Sequence, residues 1–328
     1  MKLLKLVPDD TNIDFVRLRT WAFGLTLALS LIAIGLVATR GLNMGVDFAG
    51  GLMIEEKFPT PPSLDHVREV VNAQGFGEAQ LQQASDPRTI TIRLPAQQNA
   101  DEGATNAVVR KVEAAIGREF PGATFSRYAT VGSKVSGELI RNGVLAVVLA
   151  VLGIALFAIF RFEWQFGVST VVAIVHDLLM TLGFFALMRD SFEFDLNTVA
   201  AVLTIIGYSI NDKIVIDDRI RENMRRYRKM EMRDIINLSV NETLPRTVMT
   251  SLTILLALGA LLLLGGHVLR GFTAAMILGI VVGTYSSIYV SSSLLITLGL
   301  RAEPNREKPG TTDKRRVPDA ERIVPRER

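Results

Sequence analysis

The sequence contains no cysteine, so disulfides and thiolate metal sites are excluded. A large charge excess is missing as well. The formal charge is +3 and the sequence pI about 9.2. So small an excess is a poor signature for a nucleic-acid partner, and the basic residues have a better use as topology signals. There is no GxxxxGK[ST] phosphate loop; VGSKVSG at 131–137 lacks the first glycine at the required spacing. HExxH, GxSxG and clustered metal ligands are missing too. No route to ATP or peptide-bond hydrolysis is recognisable. The chain is expected to be neither an enzyme nor a metal or cofactor binder.

What is present is apolar sequence. Of 328 residues, 49% are hydrophobic, and they gather into blocks of about 20, the length of a helix crossing ~30 Å of hydrocarbon. The blocks are 20–39, 138–160, 166–188, 195–217, 247–266 and 271–300. The last is long enough to tilt or to extend beyond the bilayer. Trp21 to Thr39 is long for the apolar core of a secretory signal, and no A-x-A cleavage site follows it. It reads as an uncleaved first spanning helix.

Lys and Arg orient the set. They are frequent in the N-terminal segment 1–19, the connection 218–246 and the tail 301–328, whereas loops 189–195 and 265–271 carry one Arg each. The positive-inside bias predicts a multi-pass membrane protein with both termini cytoplasmic and 40–137 outside. The tail is interrupted by Pro304, Pro309, Pro318 and Pro325 and is expected to be disordered.

Region 40–137 has the pattern of a small α+β domain. LMIEEKF, AQLQQAS, TITIRLP and ATFSRYATV read as strands. SLDHVREVVNAQ, with Ser63 as N-cap, and DEGATNAVVRKVEAAIGREF read as helices. The order β-α-β-β-α-β is ferredoxin-like. The expected fold is therefore an α-helical integral membrane protein with six transmembrane helices and a small ferredoxin-like periplasmic domain. That fold alone does not define a function.

Function is sought in the polar residues of the apolar blocks. A charge within a spanning helix costs about 2.5–3.5 kcal/mol on insertion scales, so it usually faces a bundle interior and works there. Block 166–188 contains His176 and Asp177, and block 195–217 contains Asp212 within IIGYSINDKIVIDDRIREN, 205–223. Helical spacing gives four small-or-polar stripes. These are Thr170, Ala173, Asp177, Thr181; Ile205, Ser209, Asp212, Ile216; Arg246, Thr250, Thr253, Ala257, Ala260; and Ala275, Gly279, Gly283, Ser287. Gly279 and Gly283 have the GxxxG spacing that permits close helix approach; Gly207 is a further glycine of the central string.

Asp212 lies near the cytoplasmic end of one helix and Arg246 begins the next, so the two are expected at similar depth and able to pair. If helix movement changes their separation, the carboxylate gains or loses a proton, and access from alternate sides makes that a relay. A static pair that only sets helix register would look the same. Asp177, His176, Asn211, Ser209, Thr250 and Thr253 are candidate supporting groups. His176 and Asp177 are adjacent on a helix and are not expected to face each other. Asp217, Asp218 and Arg219 read as interfacial anchors and loop contacts. GVDFAGG at 45–51 reads as a glycine-rich turn from helix to strand, with Asp47 as a cap and Gly50 and Gly51 at the junction.

GVDFAGG, VHDLLMTLG at 175–183, GYSINDKIV…DRIREN, LPRTVMTSLTILL at 244–256 and GTYSSIYVSS at 283–292 together resemble the SecD/SecF family of bacterial protein-export membrane proteins, within the resistance-nodulation-division superfamily. The likeness runs in order along nearly the whole chain. It departs at Asp217, where the family usually has an aromatic residue, and at Ser293, often Pro. The resemblance implies a six-helix subunit paired with SecD that assists the SecYEG channel and the SecA motor, with YajC and YidC as further partners. It implies protons as the coupling ion and preproteins as substrate. The family's proton-pathway Asp and Arg fall on Asp212 and Arg246. A non-transporting scaffold and a proton-driven small-molecule or lipid exporter are the competing expectations.

Overall fold

The computed structural model describes residues 7–8, 11–84, 86–95, 102–266 and 269–301. All of the tail reading except Arg301 lies outside them. Helix α1 (Arg19–Arg40) leads through a one-turn helix α2 (Val46–Ala49) into strand β1 (Gly51–Lys57). Helix α3 (Leu64–Asn72), strands β2 (Gln80–Gln83) and β3 (Thr89–Leu94), helix α4 (Glu102–Glu119) and strand β4 (Thr124–Val131) complete a small layer. Long helices follow: α5 (Ser133–Arg161), α6 (Trp164–Leu187), α7 (Leu196–Arg226), α8 (Met232–Leu264) and α9 (Arg270–Tyr285). A π-helical turn, Ser286–Ser291, joins α9 to α10 (Ser292–Thr297).

Among the described residues, six spans are long and apolar enough to cross a membrane: Val16–Arg40, Lys134–Arg161, Trp164–Leu187, Leu196–Arg226, Met232–Leu264 and Arg270–Thr297. Trp21, Leu25 and Leu27 on α1, Leu149, Leu156 and Phe160 on α5, and Leu256, Leu263 and Leu264 on α8 are exposed. Such a surface is unstable in water but matched by hydrocarbon. The buried side chains concentrate instead on α6, α7 and α9, which form the centre of the bundle.

Glycine sets the closeness of that centre. A Cβ on Gly279 would collide with the Ile205 side chain, and one on Gly283 would lie 3.1 Å from Ser209 Cβ. Gly279→Ala is therefore expected to destabilise by about 1–3 kcal/mol through overpacking, read as a lower thermal midpoint in detergent. Gly207→Ala is the control, because nothing lies within 4 Å of that position; its midpoint should not fall.

The connection 218–246 is not a loop. Helix α7 runs on to Arg226 and α8 starts at Met232 and continues through Pro245, so only a short turn separates them. Loss of hydropathy marks where lipid ends, and Arg, Glu and Met remain good helix formers there. The extensions build a second apolar core, with Ile216, Ile220 and Met224 of α7 against Ile235, Ile236 and Val240 of α8, Phe15 and Phe166. The segment before α1 is pinned to it: the Asn241 amide bonds both the N–H and the C=O of Ile13, each at 2.9 Å.

The sheet order is β2-β3-β1-β4, with every pair antiparallel. Leu52 and Ile54 of β1, Ile90 and Ile92 of β3, Val67 and Val71 of α3, and Val112 and Ile116 of α4 share one core. Alternation along the strands thus puts both helices on one face. Ser63 occupies the α3 N-cap position, yet its side chain makes no capping bond.

GVDFAGG is more than a turn. Gly50 and Gly51 have φ of 70° and 105°, which only glycine adopts without strain. Gly45 donates to the Phe194 carbonyl at 2.9 Å, and Asp47 Oδ2 accepts the Leu196 N–H at 3.1 Å. Asp47 thus caps a different helix from its own. It adds negative charge at the N-terminus of α7, beside the capping box of Asp195 and Thr198. Arg93 of β3 donates to the Met44 carbonyl at 2.9 Å and pairs with Glu193. The sheet is in this way tied to the entry of α7.

A buried carboxylate site in the helix bundle

Two carboxylates inside the bundle, Asp212 and Asp177, are held by hydroxyl groups. Asp212, 5% exposed, accepts from Thr247 Oγ1 of α8 at 2.8 Å and, more weakly, from Ser287 Oγ of the π-helical turn at 3.5 Å. Asp177 is 1% exposed. Its Oδ2 accepts from Ser209 of α7 at 2.6 Å and from Ser286 at 3.0 Å. Thr181 donates to the Asp177 carbonyl at 2.8 Å.

The stripes on α6, α7 and α9 are buried as the spacing predicts: Thr170, Ala173, Asp177 and Thr181; Ile205, Ser209, Asp212 and Ile216; Ala275, Gly279, Gly283 and Ser287. The α8 stripe is not. Arg246 is exposed and, among the described residues, forms no ion pair with Asp212. Thr250 and Thr253 hydroxyls bond back to carbonyls of their own helix, and Ala257 and Ala260 are exposed. The face turned inward is Thr243, Thr247, Ser251 and Leu258, one residue on. Ser251 extends the polar line, lying 2.9 Å from the Tyr208 hydroxyl and 3.0 Å from Thr284 Oγ1. Asn211 and Gly207 are exposed and take no part in the site.

His176 and Asp177 do meet, contrary to the expectation for neighbours on a helix: His176 Nδ1 lies 3.0 Å from Asp177 Oδ1. Asp217 is not an interfacial anchor. It is buried with Lys213, whose Nζ bonds both of its oxygens at 2.7 and 2.9 Å. Asp218 and Arg219 do form surface contacts, with Arg161 and with Glu222 and Glu242.

Sequence reasoning missed Lys213, Thr247, Ser251 and the serines of the turn. The i,i+4 spacing of opposite charges in an apolar run was a signal for Lys213–Asp217. The density of serine in GTYSSIYVSSS was another, since Ser286, Ser287, Ser291, Ser292 and Ser293 are all buried. A π turn inside a helix often marks a functional site.

Neutral hydroxyls suit a group that changes protonation. A Ser or Thr hydroxyl donates to a carboxylate and, after a rotation, accepts from a carboxylic acid. Asp212 can therefore be satisfied in either state, without a cation being stranded in the bundle.

The family profile described as "Protein export membrane protein SecD/SecF, C-terminal" matches residues 111–301, and that of the SecD/SecF GG motif matches 35–55. Protein translocase subunit SecF of Cereibacter sphaeroides is 44% identical over 94% of this chain and 97% of its own. That of Rhodobacter capsulatus is 42% identical over 95% and 96%. The crystal structure of SecDF, a translocon-associated membrane protein from Thermus thermophilus, superposes with a TM-score of 0.80 at 39% identity, over 89% of this chain and 39% of that one. SecDF in a super-membrane-facing form gives 0.65 at 38% identity, over 91% and 40%. This chain thus spans about two-fifths of each solved SecDF chain. A profile over more than half of the residues, and relatives alike from end to end, lead to one conclusion: the chain belongs to the SecD/SecF family of protein-export membrane proteins.

Proposed function

We propose that the chain is a SecF-type accessory subunit of the Sec preprotein translocase, which pairs with SecD and couples the proton-motive force to late export. In this reading it lies in the bacterial inner membrane with both termini in the cytoplasm. SecYEG, SecA, YajC and YidC are its wider partners. The split-βαβ strand order supports a ferredoxin-like domain on the periplasmic side, where it meets SecD or the emerging chain.

One observation carries the reading. Asp212 is a buried carboxylate satisfied by two neutral hydroxyls, on a helix whose other end is clamped to the sheet through Asp47. Protonation at Asp212 and displacement of the outer domain therefore act on the same rigid element. Arg246 has its place in a second state. It is the neighbour of Thr247, so its long side chain needs less than the ~100° between neighbours to replace the hydroxyl at Asp212. A carboxylate facing guanidinium in one state and hydroxyl in the other has different proton affinities in the two. Each proton that crosses is worth about 2.3 kcal/mol per 100 mV. No cofactor other than the proton is needed.

Asp212→Asn keeps the shape and removes the titratable charge. In vesicles holding the assembled complex, it is expected to reduce export to the level seen without a proton gradient. Undiminished gradient-driven export, with assembly intact, would make Asp212 structural.

A further inference from the structure

Asp177 has hydrogen-bond partners different from those of Asp212 and is the more fully buried of the two. Its Oδ1 faces His176 Nδ1 at 3.0 Å. His176 is itself 4% exposed, and its Nε2 is buried with no hydrogen-bond partner among the described atoms. An imidazole bonded at one nitrogen and open at the other is a path for a proton, because a proton taken up on one side is matched by one released from the other.

Among the described residues, Asp177 forms no ion pair with a Lys or Arg. Helix α1 has no charged residue between Arg19 and Arg40, α5 none between Arg141 and Arg161, and α9 to α10 none after Arg270. The titratable groups that face it are His176 on its own helix, Tyr285, whose ring lies 6.2 Å from that of His176, and Asp212, one turn beyond Ser209 on α7. Lys213 is engaged with Asp217.

The two carboxylates share a mechanical link. Ser286 and Ser287 are consecutive in the π-helical turn; the first bonds Asp177 at 3.0 Å and the second approaches Asp212 at 3.5 Å. Ser292 Oγ donates to the Ser287 carbonyl at 2.8 Å, which steadies the widened turn. One movement of this turn therefore changes both bonds.

We propose that Asp177, with His176, is a second proton-binding site of this chain, loaded in alternation with Asp212 through the Ser286–Ser287 turn. The proposal rests on the relay reading of Asp212. Protonation of Asp177 weakens it as an acceptor for Ser286, and the turn moves so that Ser287 closes on ionised Asp212. The proton leaves when Asp177 Oδ1 passes it to His176 Nδ1 while the proton on Nε2 departs to a water molecule. One proton enters the imidazole and one leaves, so the ring ends neutral in its other tautomer. The cycle closes when the ring, turned to water, gives up its Nδ1 proton and takes one on Nε2, restoring the first tautomer with no net proton gained, and the turn rotates away from Asp177.

The test is infrared difference spectroscopy of the full chain, assembled with its SecD partner in lipid vesicles, as pH is changed. Asp212→Asn and Asp177→Asn are each expected to abolish one buried carboxylic-acid band. Asp177→Asn should also shift the midpoint of the Asp212 band by about one pH unit. Ser286→Ala, which keeps both carboxylates, should move both bands. A spectrum of Asp177→Asn that superposes on wild type overturns the proposal, as does a Ser286→Ala spectrum in which neither band moves. The second variant decides alone if the first does not assemble. Loss of a band in Asp177→Asn but none in Asp212→Asn overturns the relay at Asp212, and the alternation with it, by a different signature.

Discussion

Lys213→Met is expected to cost about 3–5 kcal/mol of stability, the usual price of stranding one member of a buried ion pair. Lys213 and Asp217 are each 2% exposed, and the ammonium bonds both carboxylate oxygens. Their neighbours on α7 are Ile214 and Ile216, which offer no replacement donor. Removing the lysine leaves an anion in the bundle with nothing to neutralise it. Removing both charges is a different matter. Lys213→Met with Asp217→Leu fills the space with apolar groups and is expected to come within about 1–2 kcal/mol of wild type, because well-packed hydrophobic replacements of buried pairs are often neutral or better. Thermal unfolding of the two single variants and the double, in one detergent, gives the coupling energy directly. A single variant that melts with wild type would show that the pair is open to water.

Glu56→Gln is expected to change how the sheet responds to pH. Glu56 lies on β1, 1% exposed, at the register shift between Glu55 and Glu56, and its Oε1 has no hydrogen-bond partner among the described residues. Burial, reinforced by the negative charge of Glu113, raises its carboxyl pKa from 4.5 to about 7. The folded sheet therefore holds a proton that the unfolded chain releases. Stability from this group is full below pH 4.5 and is lost as pH rises toward 7, by about 3 kcal/mol in all. Gln is neutral throughout. Wild type and Glu56→Gln should be close in stability at acid pH, with the variant more stable above pH 7. Hydrogen exchange of the β1 amides in the full chain, corrected for intrinsic rates, measures the difference. Equal pH slopes would mean that the Glu56 carboxyl titrates at the same pH in the folded sheet and in the unfolded chain.

Most of the architecture was legible in the chain. Six apolar blocks are visible because crossing hydrocarbon demands that every backbone group be satisfied within the helix and every outward side chain be apolar. The stripes on α6, α7 and α9 were legible for a related reason. Their polar and small residues are scarce in an apolar background, so Asp177, Asp212, Gly279 and Gly283 mark the inner face by themselves. The extensions of α7 and α8 were not visible, since a hydropathy reading ends with the lipid and not with the helix.

The α8 face shows where periodicity stops. Thr247, Thr250, Ser251 and Thr253 are chemically alike and spread around the helix, and Arg246 was drawn inward by the expectation of a partner. The structure turns Thr247 to Asp212 and leaves Arg246 exposed. No local rule separates those two faces, because a hydroxyl on a spanning helix can bond its own preceding turn, as Thr250 and Thr253 do, at little cost in lipid.

The sequence alone determined the number of spans, the bias of charge to one end, the candidate carboxylates Asp177 and Asp212, and the family. Each depends on composition or on short-range spacing, which the chain carries in itself. Tertiary structure alone decided which hydroxyls reach which carboxylate, that Lys213 closes on Asp217, that Asp47 caps a helix 149 residues away, and that a π-helical turn sets Ser286 and Ser287 against two acids. Those depend on the rotation of one helix against another. That rotation is settled by how side chains from distant segments fill a common space, and no single segment contains the information.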